Sequence, residues 1–285
     1  MARKQMAFHS RQRDKIEPLL RWAGGKRFLV NRFTKFIPPD LYERVYHEPF
    51  LGSGSLFFAL RPNKAKLSDA NEHLINCYKF VREYPELIAN YLLKHKNRNS
   101  EEYYYEVRKS YNRMSFSAAQ AARFIYLNRT CFNGIFRVNL EGEFNVPYGW
   151  KENPIIPDKD WLHKASAGLK RVCLKSLPFE KALTAVSSGD FIYLDPPYPP
   201  LNHTSNFNRY TKDRFSLDDH KRLAQIFYDL DNRGCLIMMS NADIPLIRKL
   251  FRRYNVFSLP VTRYITCKSK KHRVRELVIT NYEIA

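Results

Sequence analysis

The feature that most constrains the fold is a short apolar run, Phe191–Leu194, that leads directly into Asp195-Pro196-Pro197-Tyr198. A continuous apolar run that ends at a turn is typical of a strand buried on both faces of a parallel sheet. In open α/β sheets, ligands bind at the carboxyl ends of such strands. The sequence therefore predicts an α/β fold in which a rigid polar turn lies at the ligand-binding edge.

This turn, residues 195–198, combines a carboxylate, two prolines and an aromatic ring. Consecutive prolines fix φ and remove two N–H donors, so their carbonyls remain as acceptors. The Asp195 carboxylate and the Pro196 carbonyl can together accept both N–H bonds of an exocyclic amine, and the Tyr198 ring can stack on the attached ring system. An ordinary proline-rich strand exit is the alternative, but the preceding acid and buried strand favour an amine site.

Strand and helix patterns alternate on both sides of a central block, which predicts a parallel sheet. A basic loop, Lys268–Arg275, precedes the last strand. The predicted strands are Val45–Glu48, Lys64–Ser68, Phe191–Leu194, Cys235–Ser240, Val256–Val261 and Glu276–Tyr282, and the predicted helices are Arg27–Phe36, Ser55–Leu60, Ser216–Leu230 and Ile244–Arg253.

Two further groups of residues point to a nucleoside ligand. Gly52 and Gly54 follow the first strand and let the backbone approach a ligand closely, and Asp69 ends the next strand, where an acid can accept both ribose hydroxyls. Trp22, beside Gly24, Gly25 and Lys26, suggests a second ligand edge; it is not a phosphate-binding P-loop, which needs G-x-x-x-x-G-K-[ST]. Taken singly, these features also suit a tight turn, a helix N-cap and a core tryptophan.

The central block has a different character. Helix patterns cover Glu72–Val81, Pro85–His95, Ser100–Tyr111 and Ser117–Tyr126, and a turn-rich stretch, Phe132–Gly149, follows them. Asn133-Gly134 and Gly142 both predict hairpin turns there. We predict a basic arm over residues 1–18, an α/β domain over 19–70 and 174–285, and an inserted domain over 71–173.

Composition narrows the class of function. The chain has 285 residues, of which 44% are hydrophobic, so global disorder is excluded. No apolar run approaches the roughly 18 residues of a membrane span, and the charged N-terminus lacks a signal-peptide pattern. Five scattered cysteines without a C-x-x-C pair suit a reducing compartment and give no zinc site. A net charge of +20 favours nucleic acid as partner, so we predict a cytoplasmic protein that binds nucleic acid and neither metal nor membrane.

Four ordered blocks resemble the Dam-type, D12-class N6-adenine DNA methyltransferases: W-A-G-G-K, E-P-F-x-G-x-G-x-x-F, S-D-x-N and D-P-P-Y. They correspond to Trp22–Lys26, Glu48–Phe57, Ser68–Asn71 and Asp195–Tyr198. The resemblance, which runs from about Leu19 to Tyr282, implies a Rossmann-like S-adenosylmethionine-dependent methyltransferase sheet with an inserted helical and β-hairpin target-recognition domain.

The resemblance also implies site residues. The catalytic residues are Asp195, Pro196, Pro197 and Tyr198, and the residues that bind S-adenosylmethionine are Trp22, Ala23, Gly24, Lys26, Glu48, Phe50, Gly52, Gly54, Asp69 and Asp195. The residues that recognise DNA are Phe132, Asn133, Ile135, Arg137, Asn139 and Pro147. Arg137 would donate two bonds to guanine O6 and N7, although a phosphate contact is the alternative.

We therefore predict an enzyme that methylates adenine N6 in double-stranded DNA by base flipping, within GATC. The alternatives are methylation of cytosine N4 or RNA adenine, and a noncatalytic DNA-binding module of the same fold. We predict a monomer or weak dimer in a prokaryotic or phage setting, with a cognate restriction endonuclease as a functional partner. The basic stretches Met1–Arg32 and Phe251–Ala285 would contact the DNA backbone.

Overall fold

The computed structural model describes residues 16–199, 215–264 and 271–284, and these form an α/β fold around a mixed seven-stranded sheet. The strand order is β3-β2-β1-β4-β5-β7-β6. The strands are β1 Val45–Glu48, β2 Lys64–Asp69, β3 Val172–Ser176, β4 Phe191–Leu194, β5 Leu236–Ala242, β6 Asn255–Tyr264 and β7 Lys271–Thr280.

The first five strands are parallel, and β7 runs antiparallel to both β5 and β6. The predicted α/β class is confirmed, and β4 lies at the centre of the sheet. Phe191 and Tyr193 belong to one cluster of buried side chains, while Ile192 and Leu194 belong to the other. Burial on both faces explains why this strand had the clearest signal in the sequence.

Two strand predictions need correction. Strand β3 was not predicted. It lies at the edge of the sheet, and Cys173 between the buried residues Val172 and Leu174 is exposed, so its apolar pattern in the sequence is short. Part of the predicted basic loop is strand, since main-chain pairing of β6 with β7 continues to Lys271. Charged residues at the end of a ribbon give no hydropathy signal for a strand. Residues 268–270 of that prediction lie outside the described ranges, as do residues 1–15 of the basic arm.

The helices begin and end close to the predicted positions. The cap side chains of Asn71, Ser100, Ser117 and Ser216 each accept a backbone N–H of the first turn. The helices are α1 Val30–Phe33, α2 Ser55–Leu60, α3 Glu72–Glu83, α4 Pro85–Asn97, α5 Glu101–Tyr111, α6 Ala118–Thr130, α7 Lys159–Leu169, α8 Phe179–Ala182, α9 Leu217–Asn232 and α10 Pro245–Leu250.

Helix α7 was missed, although Asp158 caps it and its buried residues have helical spacing. The predicted helices Arg27–Phe36 and Ile244–Arg253 are shorter, at Val30–Phe33 with a 3-10 turn and at Pro245–Leu250.

The predicted inserted segment contacts the sheet as well as itself. Helix α3 packs against β2 and β3, and α6 packs against α3, α4 and α5. The division of the chain into two domains therefore stays a prediction. None of the helices in the described ranges has the length and apolar character needed to cross a membrane.

Candidate active site

The carboxylate of Asp195 lies at the carboxyl end of β4, where the sequence predicts the ligand edge. Lys26 Nζ lies 2.7 Å from Asp195 Oδ1 and 2.8 Å from Oδ2, and the hydroxyl of Ser240 donates to Oδ1 at 2.7 Å. Burial raises the pKa of Asp195, whereas the Lys26 charge and these two hydrogen bonds act to lower it. The acceptor is thus held in one orientation by fixed donors.

Lys26 connects two of the sequence motifs directly. Its side chain is only 4% exposed, its ammonium donates to the carbonyl of Gly24 at 2.6 Å, and it lies 4.6 Å from the centre of the Tyr198 ring. The sequence predicted Lys26 as a cofactor residue, and the structure places it against the predicted catalytic carboxylate as well. An ammonium over an aromatic face adds a cation–π contact to the ion pair.

Two polar residues of this site were not predicted. Ser240 in β5 is fully buried against Asp195, and Glu276 in β7 is 3% exposed and accepts the Tyr198 hydroxyl at 3.3 Å. Each lies at one end of an apolar run, Ser240 after Leu236–Met239 and Glu276 before Leu277–Ile279, and a buried polar side chain requires a partner. That position was the available signal, but the sequence alone does not bring β5 and β7 beside β4.

Glu48 ends β1 next to this cluster. It is 2% exposed, accepts the Tyr46 hydroxyl at 2.8 Å and accepts the backbone N–H of Phe57. Burial, aided by the charge of Asp195, raises the pKa of Glu48 to about 8. A carboxyl with that pKa is mostly protonated at pH 7, and a cation bound nearby would favour ionisation of Glu48.

The glycine turn, residues 49–54, joins β1 to α2 and is held by Asp69. The Asp69 carboxylate accepts Gly52 N–H at 3.0 Å and Asn71 N–H at 2.9 Å, one bond at each oxygen. Burial raises the pKa of Asp69 to about 6. The predicted ribose acceptor therefore also holds the turn, and each oxygen keeps a second lone pair for a ligand.

Gly52 also brings the W-A-G-G-K segment against this turn. Its φ is +48°, and a Cβ there would lie 2.8 Å from Trp22 Cδ1. Ala23 is half-buried beside Trp22, while Gly24 is exposed. Phe50 stacks on Phe179 with ring centres 5.2 Å apart, a contact with the segment after β3 that the sequence did not predict.

The charge of this cluster opposes that of the chain. Four carboxyl groups, those of Glu48, Asp69, Asp195 and Glu276, converge with Lys26 in a protein of net charge +20. A pocket with excess buried acid favours a cationic ligand. Gly52 packs directly against Trp22, so no side chain fits at residue 52. The excess of buried acid suits a ligand that carries positive charge.

The predicted DNA-recognition residues lie together on the recognition segment, residues 131–149. Isolated bridges pair Cys131 with Tyr148 and Val138 with Phe144, and Gly142 belongs to the turn that closes them. The predicted Asn133-Gly134 hairpin turn is wrong. Both residues have the positive φ that such a turn requires, but Cys131 and Val138 on either side pair with Tyr148 and Phe144 and not with each other.

The side chains of this segment differ in how firmly they are held. Phe132 is 44% exposed, and Asn133 and Pro147 are also exposed, whereas Ile135 and Asn139 are half-buried. Asn139 pairs with Glu143 across the turn, where its N–H donates to the Glu143 carbonyl at 2.9 Å.

Arg137 is oriented by one neighbouring residue. Its Nε donates to Asn145 Oδ1 at 2.7 Å, and its Nη2 donates to the Asn145 carbonyl at 3.4 Å. This pairing uses one edge of the guanidinium, and a guanidinium has five donors. The donors of the Nη1–Nη2 edge are not used by this pairing and can make a two-bond contact with a planar acceptor pair.

The recognition segment is attached to the W-A-G-G-K segment by specific contacts. The Asn128 side chain accepts Arg21 N–H at 2.7 Å and donates to both the Arg21 carbonyl at 2.7 Å and the Gly134 carbonyl at 3.2 Å. The rings of Trp22 and Phe136 stack with centres 5.9 Å apart. The recognition segment thus lies against the segment that contains the predicted cofactor residues Trp22 and Lys26.

Comparison with known proteins identifies relatives of this chain. A model of the D12 class N6 adenine-specific DNA methyltransferases matches residues 22–265. The chain is 40% identical over 281 residues to a Type II methyltransferase of Lactococcus lactis subsp. cremoris, covering 95% of this chain and 98% of that protein. It is 38% identical over 287 residues to a Type II methyltransferase of Methanocaldococcus jannaschii, covering 94% and 99%. It is 31% identical over 269 residues to the DNA adenine methylase of Escherichia coli, covering 93% and 95%.

Proposed function

The chain belongs to the D12 class N6 adenine-specific DNA methyltransferases, and from that premise we propose that it transfers a methyl group from S-adenosylmethionine to adenine N6 within GATC in duplex DNA. The observation that carries this proposal is the Asp195 carboxylate, held by Lys26 and Ser240 beside the Tyr198 ring. It provides an anionic acceptor and an aromatic face in one pocket, which is what an aromatic amine requires.

The chemistry follows from the nature of the nucleophile. The N6 lone pair of adenine is delocalised into the ring, so the amine is a poor nucleophile. Hydrogen bonds from N6–H to Asp195 and to the Pro196 carbonyl favour a more tetrahedral nitrogen whose lone pair points at the methyl group. These fixed acceptors stabilise the charge that develops on N6 and hold the amine in position.

The cofactor supplies a methyl group on a positively charged sulfur, which leaves as a neutral thioether. The residues we assign to hold it are Trp22 and the Gly52–Gly54 turn, with Asp69 on the ribose hydroxyls and Glu48 among the acids that face the cation. Ala23, Gly24, Lys26 and Phe50 complete the proposed pocket. The excess of buried acid beside this turn supports the assignment.

Base flipping follows from the depth of the proposed site. Asp195 is largely buried, so an adenine stacked inside a duplex cannot bring N6 to its carboxylate. We assign the face of Tyr198 to the extruded base and Pro197 to the rigid geometry of the turn. The exposed ring of Phe132, supported by Asn133, is our candidate for the space that the base leaves in the stack.

Sequence recognition is assigned to the remaining residues of the recognition segment. The open guanidinium edge of Arg137 suits guanine O6 and N7, while Ile135 and Pro147 supply apolar contacts that suit a thymine methyl. Asn139 holds the turn beside them. The proposed GATC site takes its support from relatives named DNA adenine methylase.

The biological setting is part of the proposal. Two relatives are named Type II methyltransferases, which supports a role beside a cognate restriction endonuclease. We propose a monomer or a weak dimer as its working form. We also propose that it acts on DNA in the cytoplasm, in a prokaryotic or phage setting.

The test is to methylate a plasmid that lacks N6-methyladenine with the purified protein and S-adenosylmethionine, and to map modified bases by sequencing. We expect N6-methyladenine at GATC and nowhere else. Modified cytosine would overturn the choice of base, and another adenine context would overturn the site. Tight DNA binding without any methylation would instead identify a noncatalytic module.

A further inference from the structure

A hydrogen-bonded chain of buried hydroxyls ends on the Asp195 carboxylate. Leu194 of β4 pairs with Met239 of β5, so the next residues of the two strands, Asp195 and Ser240, lie side by side. The Ser240 hydroxyl donates to Asp195 Oδ1 at 2.7 Å and lies 2.9 Å from the hydroxyl of Tyr193. Ser240 is fully buried and Tyr193 is 1% exposed, so water does not compete for these bonds.

The direction of this chain is fixed by proton count. A serine hydroxyl has one proton, and an ionised carboxylate can only accept, so the Ser240 proton goes to Asp195. Tyr193 must then donate its own proton to the Ser240 oxygen. A hydroxyl that receives a hydrogen bond becomes a better donor, so the chain strengthens the bond to Oδ1.

The chain also fixes the orientation of the carboxylate. Oδ1 accepts from Ser240 and lies 2.7 Å from Lys26 Nζ, whereas Oδ2 accepts from Lys26 at 2.8 Å. Each oxygen is thus held by one donor, and each has a second lone pair for an incoming amine. Without the bond to Ser240, the carboxylate could rotate about Cβ–Cγ and exchange its two oxygens.

We propose that Ser240 is a positioning residue for methyl transfer: by holding Oδ1 of Asp195, with Tyr193 orienting its proton, it fixes the carboxylate that accepts the N6–H of the target base. This inference rests on the proposed function, because it assigns Asp195 to the amine. Ser240 itself does not contact the base or the cofactor. Its effect is transmitted through the orientation and the ionisation of Asp195.

The ionisation of Asp195 gives a readout that a merely structural role would not move. The Ser240 hydrogen bond stabilises the carboxylate, so its removal raises the pKa of Asp195 and activity is lost at a higher pH on the acid side. The charged and titratable groups that interact with Asp195 are Lys26 before α1, Glu48 at the end of β1, Glu276 in β7, and the hydroxyls of Tyr46 and Tyr193. Ser240→Ala changes none of these side chains, although it removes the acceptor of the Tyr193 hydroxyl.

The experiment compares wild type with Ser240→Ala, Ser240→Thr and Tyr193→Phe under single-turnover conditions. For Ser240→Ala we expect the methylation rate constant to fall about 10- to 100-fold, with KM for DNA and cofactor within about threefold of wild type. The acid limb of its pH–rate profile should move to higher pH. Ser240→Thr keeps a hydroxyl and should recover most of the rate, and Tyr193→Phe should show a smaller loss in the same direction.

Three results would overturn the inference. One is an Ser240→Ala enzyme with the wild-type rate and acid limb, and another is a rate loss that Ser240→Thr does not recover although its melting temperature is unchanged. The third is a loss of rate matched by an equal loss of cofactor affinity. If the alanine variant folds poorly, Ser240→Cys provides a side chain of similar size and weaker donor strength, and it should give the same shift of the acid limb. A wild-type enzyme inactive on adenine would instead overturn the proposed function itself.

Discussion

The turn at residues 195–198 and the recognition segment differ in how far their functional side chains are buried and paired within the protein. At residues 195–198, donors and acceptors from β5, β7 and the segment before α1 converge on buried atoms. In residues 131–149, cross-strand hydrogen bonds and side chains of neighbouring helices hold the backbone, yet several of the predicted reading residues are exposed. The acceptors of the first region are already oriented without a substrate. The exposed side chains of the second region would find partners only when DNA binds.

This difference follows from what each region must do. A reaction that depends on fixed acceptors gains from preorganisation, since the cost of orienting them is met during folding. Sequence recognition depends on bonds to base edges, and a side chain already fully paired within the protein has nothing left to read with. Arg137 combines both properties. Asn145 holds the Nε–Nη2 edge of its guanidinium, and the Nη1–Nη2 edge can still contact a base.

The largest expected effect is at the buried region. Asp195→Ala removes the anionic acceptor, and we expect methylation to fall by at least about 10²- to 10³-fold, the usual loss for a preorganised electrostatic contact. DNA affinity should stay within a few-fold of wild type, because the exposed recognition segment is unchanged. Methylation of labelled DNA and a binding titration measure the two quantities. A variant that retains its turnover would remove Asp195 from the reaction.

The next effect tests the exposed region. Arg137→Ala should reduce discrimination at one guanine by ~1–3 kcal/mol while methylation of the best site continues. Competition between duplexes that differ at single positions measures this change. Asn145→Ala is the matched control, since it leaves the guanidinium present but unsupported and should give a smaller loss at the same position. An equal loss on every sequence would identify Arg137 as a phosphate contact.

An effect of similar size concerns the glycine turn, residues 49–54, which Asp69 holds. Asp69→Ala should weaken S-adenosylmethionine binding roughly tenfold or more, since a hydrogen bond to a charged group is worth about 1.5–3 kcal/mol. Asp69→Asn is the control, because it keeps one carbonyl acceptor and should lose less. Isothermal calorimetry measures both. Unchanged cofactor affinity in the alanine variant would confine Asp69 to holding the glycine turn.

The smallest expected effect is a change in the number of protons released when the cofactor binds. Burial raises the pKa of Glu48 to about 8, so the group is mostly protonated at pH 7, and a bound cation should lower that pKa and release a fraction of a proton. Calorimetry in buffers of different ionisation enthalpy counts the protons. S-adenosylhomocysteine, which lacks the sulfonium charge, should release fewer, and Glu48→Gln should abolish the difference. Equal release by both ligands would separate Glu48 from the sulfonium.

Most of the sheet could be predicted because burial leaves a pattern in the chain. Strand β4 is apolar on both faces, and the caps at Asn71, Ser100, Ser117 and Ser216 mark helix starts with a local hydrogen bond. Edge strand β3 and the charged half of β7 lacked that pattern, and Asn133-Gly134 had the residues of a hairpin turn without the flanking ladder. Local signals fail where pairing or tertiary contacts decide the conformation.

By itself, the sequence determined the fold class, the family, and the identity of the residues at the sheet edge, because each is encoded in short motifs and local patterns. The tertiary structure decided which of those residues meet. Lys26 and Asp195 are separated by 169 positions, yet they form an ion pair, and Ser240 and Glu276 enter the site from strands with no motif of their own. Such contacts depend on the order of strands in the sheet, and strand order is a property of the whole chain.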